Sequence, residues 1–220
     1  MPAVLEHVYK RYADDVTALA DVSFGVMRGE LVGLLGPSGC GKSTLLNLIG
    51  CIDLPTSGHV YVSGEETSLL KDNELTRLRR DHVGTIFQFF NLLPTLSLAE
   101  NVAVPLMLAR KDGAQSKARV ADVLERVGLT DRGSAYPAQV SGGQLQRAAI
   151  ARAIVHRPAI VLADEPTGNL DSRNGEIVLN LLRELASGGQ TIIMATHSRE
   201  AASMCDRRIH LLDGAIEYTT

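Results

Sequence analysis

Three short stretches of the chain carry residue types that together could bind and hydrolyse a nucleoside triphosphate. They are Gly36-Pro-Ser-Gly-Cys-Gly-Lys-Ser43, Val140-Ser-Gly-Gly-Gln144 and Ile160-Val-Leu-Ala-Asp-Glu165. The first fits the pattern G-x-x-x-x-G-K-[ST], in which backbone amides surround phosphate groups. The third ends in two carboxylates, which suit a magnesium ion and the proton of an attacking water. The second is a glycine-rich helix start, which is also able to hold an anion.

The phosphate loop lies in the strand–loop–helix context that this pattern requires. Residues 30–35 form an apolar run typical of a buried parallel strand, and residues 43–49 predict a helix. Lys42 is expected to reach the β- and γ-phosphates, and the Ser43 hydroxyl is expected to bind Mg²⁺. Its glycines are expected to adopt dihedrals that a Cβ would block. The predicted ATP-binding residues of the loop are Gly36, Pro37, Ser38, Gly39, Cys40, Gly41, Lys42, Ser43 and Thr44.

The two carboxylates at the end of the second apolar run have different expected roles. Asp164 is expected to hold Mg²⁺, and Glu165 is the candidate general base for the attacking water. A solvated strand end is the alternative interpretation of an Asp-Glu pair. The preceding phosphate loop makes the catalytic interpretation the favoured one.

Other patterns predict the elements that must position these residues. Alternation over residues 4–9 and 18–24, together with residues 59–62, predicts an antiparallel sheet of short strands. Residues 89–155 are expected to be helical, with Gly128 ending one helix. A further helix is expected to bury Ile177, Val178, Leu181, Leu182 and Leu185 on one face, and two short strands are expected at 208–212 and 215–218.

The stretch Ser141, Gly142, Gly143 and Gln144, followed by Leu-Gln-Arg, resembles the signature of the ABC-type ATPases. Valine at position 140 departs from the usual leucine, and both are apolar. The resemblance covers nearly the whole chain. It implies a P-loop NTPase (RecA-like) α/β core at 1–88 and 156–220 with an antiparallel β subdomain, and an inserted helical signature subdomain at 89–155. It also implies a head-to-tail dimer, in which the signature of one subunit closes over ATP held by the other.

Four further positions gain a role through this resemblance. Tyr12 is placed to stack on adenine, Gln88 to touch Mg²⁺ and the attacking water, and Asp171 to communicate across the dimer. His197 resembles the histidine that contacts the γ-phosphate. Three of them have a plain alternative: Tyr12 as an ordinary strand tyrosine, Gln88 as a solvated loop glutamine and His197 as a structural strand-end histidine.

Two longer stretches, 87–102 and 164–172, look like the lipoprotein-releasing, macrolide-export and cell-division ATPases of bacteria. That branch implies an ATPase with ATP and Mg²⁺ that drives a membrane permease, as a homodimer or heterodimer. The alternatives are a soluble ABC ATPase or an ATP-switched adaptor that does not drive transport. Phe89, Phe90, Leu92 and Leu93 are either a docking patch for a membrane partner or packed inside the helical subdomain. Substrate, transport direction and permease are invisible in this subunit.

Composition limits the remaining function classes. A chain of 220 residues with 45% hydrophobic residues has enough apolar material for one domain with an inserted subdomain. Net charge is −3, which gives no general attraction to nucleic acid. Cys40, Cys51 and Cys205 are scattered, which argues against disulfides and a zinc site. No apolar run is long enough to span a membrane, and the N-terminus lacks a signal-peptide pattern, so we expect a cytoplasmic protein bound to the membrane through its permease.

Overall fold

A computed structural model describes residues 1–13, 16–111 and 113–220, so Asp14, Asp15 and Asp112 lie outside the described residues. The strands are β1 (Ala3–Arg11), β2 (Thr17–Val26), β3 (Leu31–Leu35), β4 (Ser57–Val62), β5 (Glu65–Glu66), β6 (Val83–Ile86), β7 (Ile160–Asp164), β8 (Ile192–Ala195), β9 (Arg207–Leu212) and β10 (Ala215–Thr219). The helices are α1 (Lys42–Ile49), α2 (Asp72–His82), α3 (Leu98–Leu108), α4 (Ala114–Arg126), α5 (Gly142–Ile154), α6 (Ser172–Ser187) and α7 (Arg199–Ser203).

The larger sheet has six strands in the order β10-β9-β3-β8-β7-β6, and its strands are parallel except for the β9–β10 hairpin. Successive residues of its central strands enter two different apolar clusters. In β7, Val161 and Ala163 belong to one cluster, and Ile160 and Leu162 belong to the other. Both faces of the sheet are therefore covered, which explains the unbroken apolar runs in the sequence.

One face of this sheet is covered by helices, and the other by a smaller sheet. Helices α3 to α6 supply most of the first cluster. The second cluster contains α1, α2 and an antiparallel sheet in the order β2-β1-β4-β5. The antiparallel sheet predicted from alternation is present, although β1 and β2 are longer than expected, with 9 and 10 residues.

The segment 89–155 differs in detail from the expected helical stretch. Its first helix begins only at Leu98, where Ser97 caps α3 with a hydrogen bond from the Glu100 amide. Gly128 lies just beyond α4 with a φ of +66°, as expected of a helix-ending glycine. On α6, Ile177 is 44% exposed and does not join the buried face, whereas Val178, Leu181, Leu182 and Leu185 do.

Among the described residues, no helix is both long enough and apolar enough to span a membrane.

Candidate functional site

A cleft of about 570 Å³ lies at the carboxyl ends of β3, β6, β7 and β8. These strands are parallel, so the loops that follow them meet at one edge of the sheet. The cleft therefore collects residues that are more than 150 positions apart in the sequence. Its lining consists of Ala18, Ser38, Gly39, Gly41, Lys42, Ser43, Thr44, Gln88, Asp164, Glu165 and His197.

The loop between β3 and α1 has the conformation that its glycines predict. Gly36, Gly39 and Gly41 have φ values of +144°, +81° and +108°. At Gly36 a Cβ would lie 2.2 Å from the carbonyl oxygen of Leu211, and at Gly41 it would lie 2.7 Å from that of Ala18. Larger residues are thus excluded twice, by dihedral and by close approach. Helix α1 has no side-chain cap at its start, so its first amides are available to an anion.

Lys42 lies beneath this loop with only 8% of its surface exposed. Its Nζ donates to the carbonyl oxygens of Gly36 and Pro37, both at 2.8 Å, and lies 3.7 Å from the Sγ of buried Cys40. The loop thus fixes the position of one positive charge at the cleft. Gly36, Pro37 and Cys40 shape the loop from behind and do not themselves line the cleft.

Ser43 and Asp164 form an oxygen-rich pair that fits a magnesium ion. The Ser43 hydroxyl donates to Asp164 Oδ2 at 3.1 Å. Burial raises the pKa of Asp164 above its ordinary value, and the nearby negative charge of Glu165 raises it further. The hydrogen bond from Ser43 and the positive charge of Lys42 lower it, but they do not outweigh the burial. A divalent cation would relieve this cost of burying a carboxylate. Among the described residues, no three acidic, histidine or cysteine side chains are grouped closely enough to hold a metal ion by themselves.

Glu165 and His197 form a pair across the mouth of the cleft. The Nδ1 of His197 lies 2.8 Å from Glu165 Oε1 and 2.6 Å from Oε2. Glu165 has a φ of +47°, and its amide donates to the Ala195 carbonyl at 3.0 Å. A positive φ at a residue other than glycine is a strained backbone conformation, and such strain is typical of functional residues. His197 is largely exposed, so it remains accessible to a bound phosphate.

Gln88 follows β6 and is held against the loop that follows Glu165. The Nδ2 of Asn169 donates to the Gln88 carbonyl at 2.9 Å. A Cβ at Gly168 would lie 2.9 Å from Gln88 Nε2, so glycine leaves room for the glutamine side chain. This contact joins the β6 and β7 loops at the cleft.

Tyr12 does not line the cleft, although the sequence interpretation assigns it to adenine. Its hydroxyl donates to Asp53 Oδ2 at 3.0 Å, and the Nζ of Lys10 lies 4.9 Å from its ring centroid. Lys10 also donates to Asp53 Oδ1 at 2.6 Å. Tyr12 is 43% exposed, so part of the residue is accessible to a ligand.

The signature stretch lies at the start of α5 and does not line the cleft. Ser141 caps the helix, since its hydroxyl accepts from the Gln144 amide at 3.4 Å, and Gln144 Oε1 accepts from the Ser141 amide at 2.9 Å. Asp171 is likewise outside the cleft, as the cap of α6. Asn174 donates to Asp171 through its amide at 2.9 Å and its Nδ2 at 2.6 Å.

Four supporting residues were missed by sequence reasoning: Ala18 against the phosphate loop, Asp53 on Tyr12, Asn169 on Gln88 and Asn174 on Asp171. Only Asn174 had a local signal, because Asp171 three residues earlier is a helix-cap pattern. The others are brought in by strand order, which leaves no local pattern.

Comparison with known proteins gives consistent matches. A family model described as "ABC transporter" matches residues 19–168. The macrolide export ATP-binding/permease protein MacB of Burkholderia pseudomallei is 50% identical over 202 residues, which are 92% of this chain. The chain spans only 31% of the length of that relative. An ABC transporter ATP-binding protein of Methanocaldococcus jannaschii, MJ1508, is 46% identical over 209 residues, 95% of this chain and 93% of the relative.

A solved structure covers almost the whole chain. It is the dimeric structure of a post-hydrolysis state of the ATP-binding cassette MJ0796 bound to ADP and Pi, with a TM-score of 0.90 and 41% sequence identity. The match covers 99% of this chain and 97% of that chain. A second dimeric structure of MJ0796 has a TM-score of 0.89 and 42% identity.

Proposed function

The chain belongs to the ABC transporter family of ATP-binding proteins and has their P-loop NTPase fold; from this premise we propose that it binds ATP with Mg²⁺ in the cleft, hydrolyses it, and drives a membrane permease. The observation that carries this proposal is the convergence of Lys42, Ser43, Asp164, Glu165 and His197 on one cleft. One site thereby contains a phosphate-binding loop, ligands for a metal ion and a candidate general base.

The position of each residue in the cleft, together with the family resemblance, supports its proposed role. The loop amides and Lys42 would hold the β- and γ-phosphates, and Ser43, Asp164 and Gln88 would hold the metal. Mg²⁺, when bound, neutralises charge that develops on the phosphate oxygens. Glu165 accepts a proton from the attacking water, while the His197 ring contacts the γ-phosphate. The Glu165–His197 pair keeps both side chains over the reacting end.

A dimer is needed because the cleft lacks the signature residues. Ser141, Gly142, Gly143 and Gln144 begin a helix outside it, with backbone amides suited to phosphate. We therefore propose that two copies pair head to tail, so that the signature of each closes over ATP held by the other, with Asp171 near the junction. The signature residues and the catalytic residues are both complete in this chain, so a homodimer would have two equal ATP sites. Its helical segment, 89–155, would move relative to the core formed by 1–88 and 156–220.

We propose that the permease binds in a groove of about 490 Å³. It lies between the end of α2, β6, α3 and α5, and Val83, Phe87, Pro105 and Leu108 line part of it. Phe89 and Leu93 lie within two residues of the lining residues Phe87 and Asn91 in the sequence, and they are 72% and 47% exposed. Exposed apolar residues of this size suit an apolar helix of a partner. Phe90 and Leu92, the other two residues of the possible docking patch, are partly buried, and Leu92 packs against the first apolar cluster.

Because Phe87 of this groove directly precedes Gln88 of the nucleotide cleft, closure around ATP would move the partner. This arrangement would place the protein at the inner face of a cell membrane through its permease. The macrolide-export relative combines ATP-binding and permease functions in its name, which supports a permease of the exporter kind. Transport by such a pair is the output we propose.

A complementation assay tests the catalytic and dimer parts of the proposal. Lys42→Ala should lose ATP binding, and Ser141→Arg should block the signature, so each variant alone should be inactive. In an equal mixture, half of the dimers would combine one intact loop with one intact signature, which gives up to about a quarter of wild-type turnover. A mixture that stays at background while both proteins are folded would contradict the dimer.

A second assay tests the permease. Tagged Glu165→Gln protein, trapped with ATP and Mg²⁺, is purified from native membranes, beside the same protein carrying Phe89→Ala and Leu93→Ala. We expect a permease with the first bait and its loss with the second. Recovery of soluble partners only, or of the same permease with both baits, would contradict the docking groove.

A further inference from the structure

A large cavity lies at the opposite edge of the central sheet from the nucleotide cleft. It has a volume of about 940 Å³ and lies where β6, β7 and β8 begin, since His82, Ala159 and Thr191 line it. The five residues of β7 separate the two edges by about 16 Å, at about 3.3 Å per residue. We call this cavity the basic cleft.

Its lining is strongly cationic in a chain that is acidic overall. The lysine and arginine side chains that line it are Arg28, Lys111, Arg119, Arg126 and Arg157, and the histidines His82 and His156 lie beside them. Within the described residues, the one acidic side chain of the lining is Asp81, and its carboxylate is already engaged by Arg80 at 2.8 Å on each oxygen. The whole chain has 22 Lys and Arg against 25 Asp and Glu, so this clustering is a local feature.

These cations lie close enough to act on one another. Burial lowers the pKa of Arg119, and the charges of Arg157 and Arg126 lower it further, against the opposing effect of Asp122. Burial also lowers the pKa of His156, which lines the same cavity. The Lys111 and His82 charges lower it further, whereas the hydrogen bond to the Val83 carbonyl and the Asp81 charge raise it. Like charges are thus held together, which costs folding free energy unless an anion joins them.

Favourable contacts with the carboxyl ends of helices explain only part of this group of positive side chains. Arg119 closes the end of α5, because its Nε donates to the Val155 carbonyl at 3.1 Å. In the ranges 1–13, 16–111 and 113–220, the side chains of Arg28, Arg126 and Arg157 make no hydrogen bond or salt bridge. The Nδ1 of His156, at the same cavity, likewise has no hydrogen-bond partner among these residues.

We propose that the basic cleft binds a small anion that carries several phosphate groups, separately from the ATP site. The cavity volume is in the range of small-molecule sites, which is about 300 to 1,000 Å³. Its lysine and arginine side chains come from four segments: the turn before β3, the segment after α3, α4 and the segment after α5. Arginine binds phosphate through two donors at once, so several arginines around one cavity suit a compact polyphosphate.

The same geometry disfavours large polyanions. A membrane surface needs cations on one outward face, and nucleic acid needs a long basic stripe. Here the charges face a concave volume at the edge of one sheet, and the net charge of −3 opposes general binding to polyanions. A free phosphate compound is therefore the occupant that this structure favours.

Calorimetric titration with inorganic tripolyphosphate tests the proposal. Tripolyphosphate also suits the phosphate loop, so the wild-type chain should bind two equivalents and Lys42→Ala should bind one. Wild-type protein saturated with ADP should likewise bind one. Binding to the ADP-saturated protein should weaken at least about tenfold in the double variant Arg126→Gln with Arg157→Asn. Asparagine is chosen at 157 because Arg157 has a φ of +58°, which asparagine tolerates well.

The matched control is Arg77→Gln with Arg132→Gln, two exposed arginines outside the cleft, which should bind tripolyphosphate as the wild type does. Removing the mutual repulsion should also raise the melting temperature of the cleft variant, whereas the wild type should reach a similar rise only when tripolyphosphate is added. Absence of a second equivalent in the wild type would overturn the proposal. So would equal weakening in both double variants, or binding of phosphatidylserine vesicles or oligonucleotides that depends on Arg126 and Arg157 without tripolyphosphate binding.

Discussion

Gly143 of the signature packs directly on Asn174, which in turn holds Asp171. A Cβ on Gly143 would lie 2.1 Å from Asn174 Oδ1 and 2.6 Å from its Cγ. The Asn174 Nδ2 donates to Asp171 Oδ2 at 2.6 Å. The start of α5 and the cap of α6 are therefore in rigid contact within one subunit. A movement of the signature helix would be transmitted to Asp171 through these three residues.

Gly143→Ala should destabilise the nucleotide-free protein by about 1 to 3 kcal/mol, because the added methyl group overpacks the contact with Asn174. Gly142→Ala is the control. Its Cβ would meet Leu170 at 3.6 Å and Phe90 at 3.8 Å, which are ordinary contacts. Denaturant unfolding measures both variants. The combination Gly143→Ala with Asn174→Ala should regain most of the lost free energy of unfolding, and equal loss in Gly142→Ala would contradict the steric argument.

Glu165→Gln should lower turnover by about 100-fold or more, because the amide accepts no proton from water. ATP binding should persist, so the variant should elute as a dimer in size-exclusion chromatography with ATP and Mg²⁺. Glu176→Gln, an exposed residue of α6, serves as the control and should turn over at the wild-type rate. A Glu165→Gln protein that stays monomeric with ATP would count against the assigned role.

Lys42→Ala should weaken ATP binding by at least about tenfold, since a buried ammonium aimed at phosphates is lost. The carbonyl oxygens of Gly36 and Pro37 would also lose their donor, so a lower melting temperature is expected. Fluorescent-nucleotide titration measures the affinity. Lys117→Ala on α4 is the control, and unchanged ATP affinity in Lys42→Ala would overturn the phosphate-loop assignment.

Tyr12→Ala should weaken ATP binding by about 1 to 3 kcal/mol if the ring stacks on adenine. Tyr12→Phe keeps the ring and loses only the hydrogen bond to Asp53, so its ATP affinity should stay close to that of the wild type. Tripolyphosphate has no base, so its affinity for the loop should be equal in both variants. If Tyr12→Ala leaves ATP affinity unchanged, the tyrosine serves only the contact with Asp53 just beyond β1.

The Lys10–Asp53–Tyr12 cluster predicts a pH-dependent contribution to stability. Burial raises the pKa of Asp53, but hydrogen bonds from Lys10, the Leu54 amide and Tyr12, with the Lys10 charge, outweigh it, so the pKa lies below the ordinary 3.8. The carboxylate thus stabilises the fold above pH 3.8, and this contribution is lost as pH falls through the lowered pKa. Asp53→Asn should therefore cost about 1 kcal/mol at pH 7 and nothing below that pKa.

Thermal unfolding of the wild type and Asp53→Asn between pH 2 and pH 7 measures this difference. Asp213→Asn, an exposed residue that is not itself in a salt bridge within the described ranges, is the control. A stability difference that stays constant down to pH 2 would contradict the assignment of the effect to the Asp53 charge.

The sequence by itself determined the local parts of the site. A phosphate loop with glycines at 36, 39 and 41 needs only its neighbouring strand and helix, and all three glycines have positive φ as expected. The capped start of α5 at Ser141 is likewise local. The apolar runs before Asp164 and His197 become buried parallel strands because both faces of the sheet are covered. In each case the signal is contained within about ten consecutive residues.

Only the tertiary structure decided which distant residues meet. Asp53 contacts Tyr12, Asn169 contacts Gln88, and Asn174 contacts Gly143 because strand order and helix packing bring their segments together. The basic cleft also arises this way, since its lysine and arginine side chains come from four separate segments that each look like ordinary solvated surface in the sequence. The periodicity of apolar residues shows which face of a helix or strand is buried, but not which other element packs against that face. Long-range packing decides which elements meet.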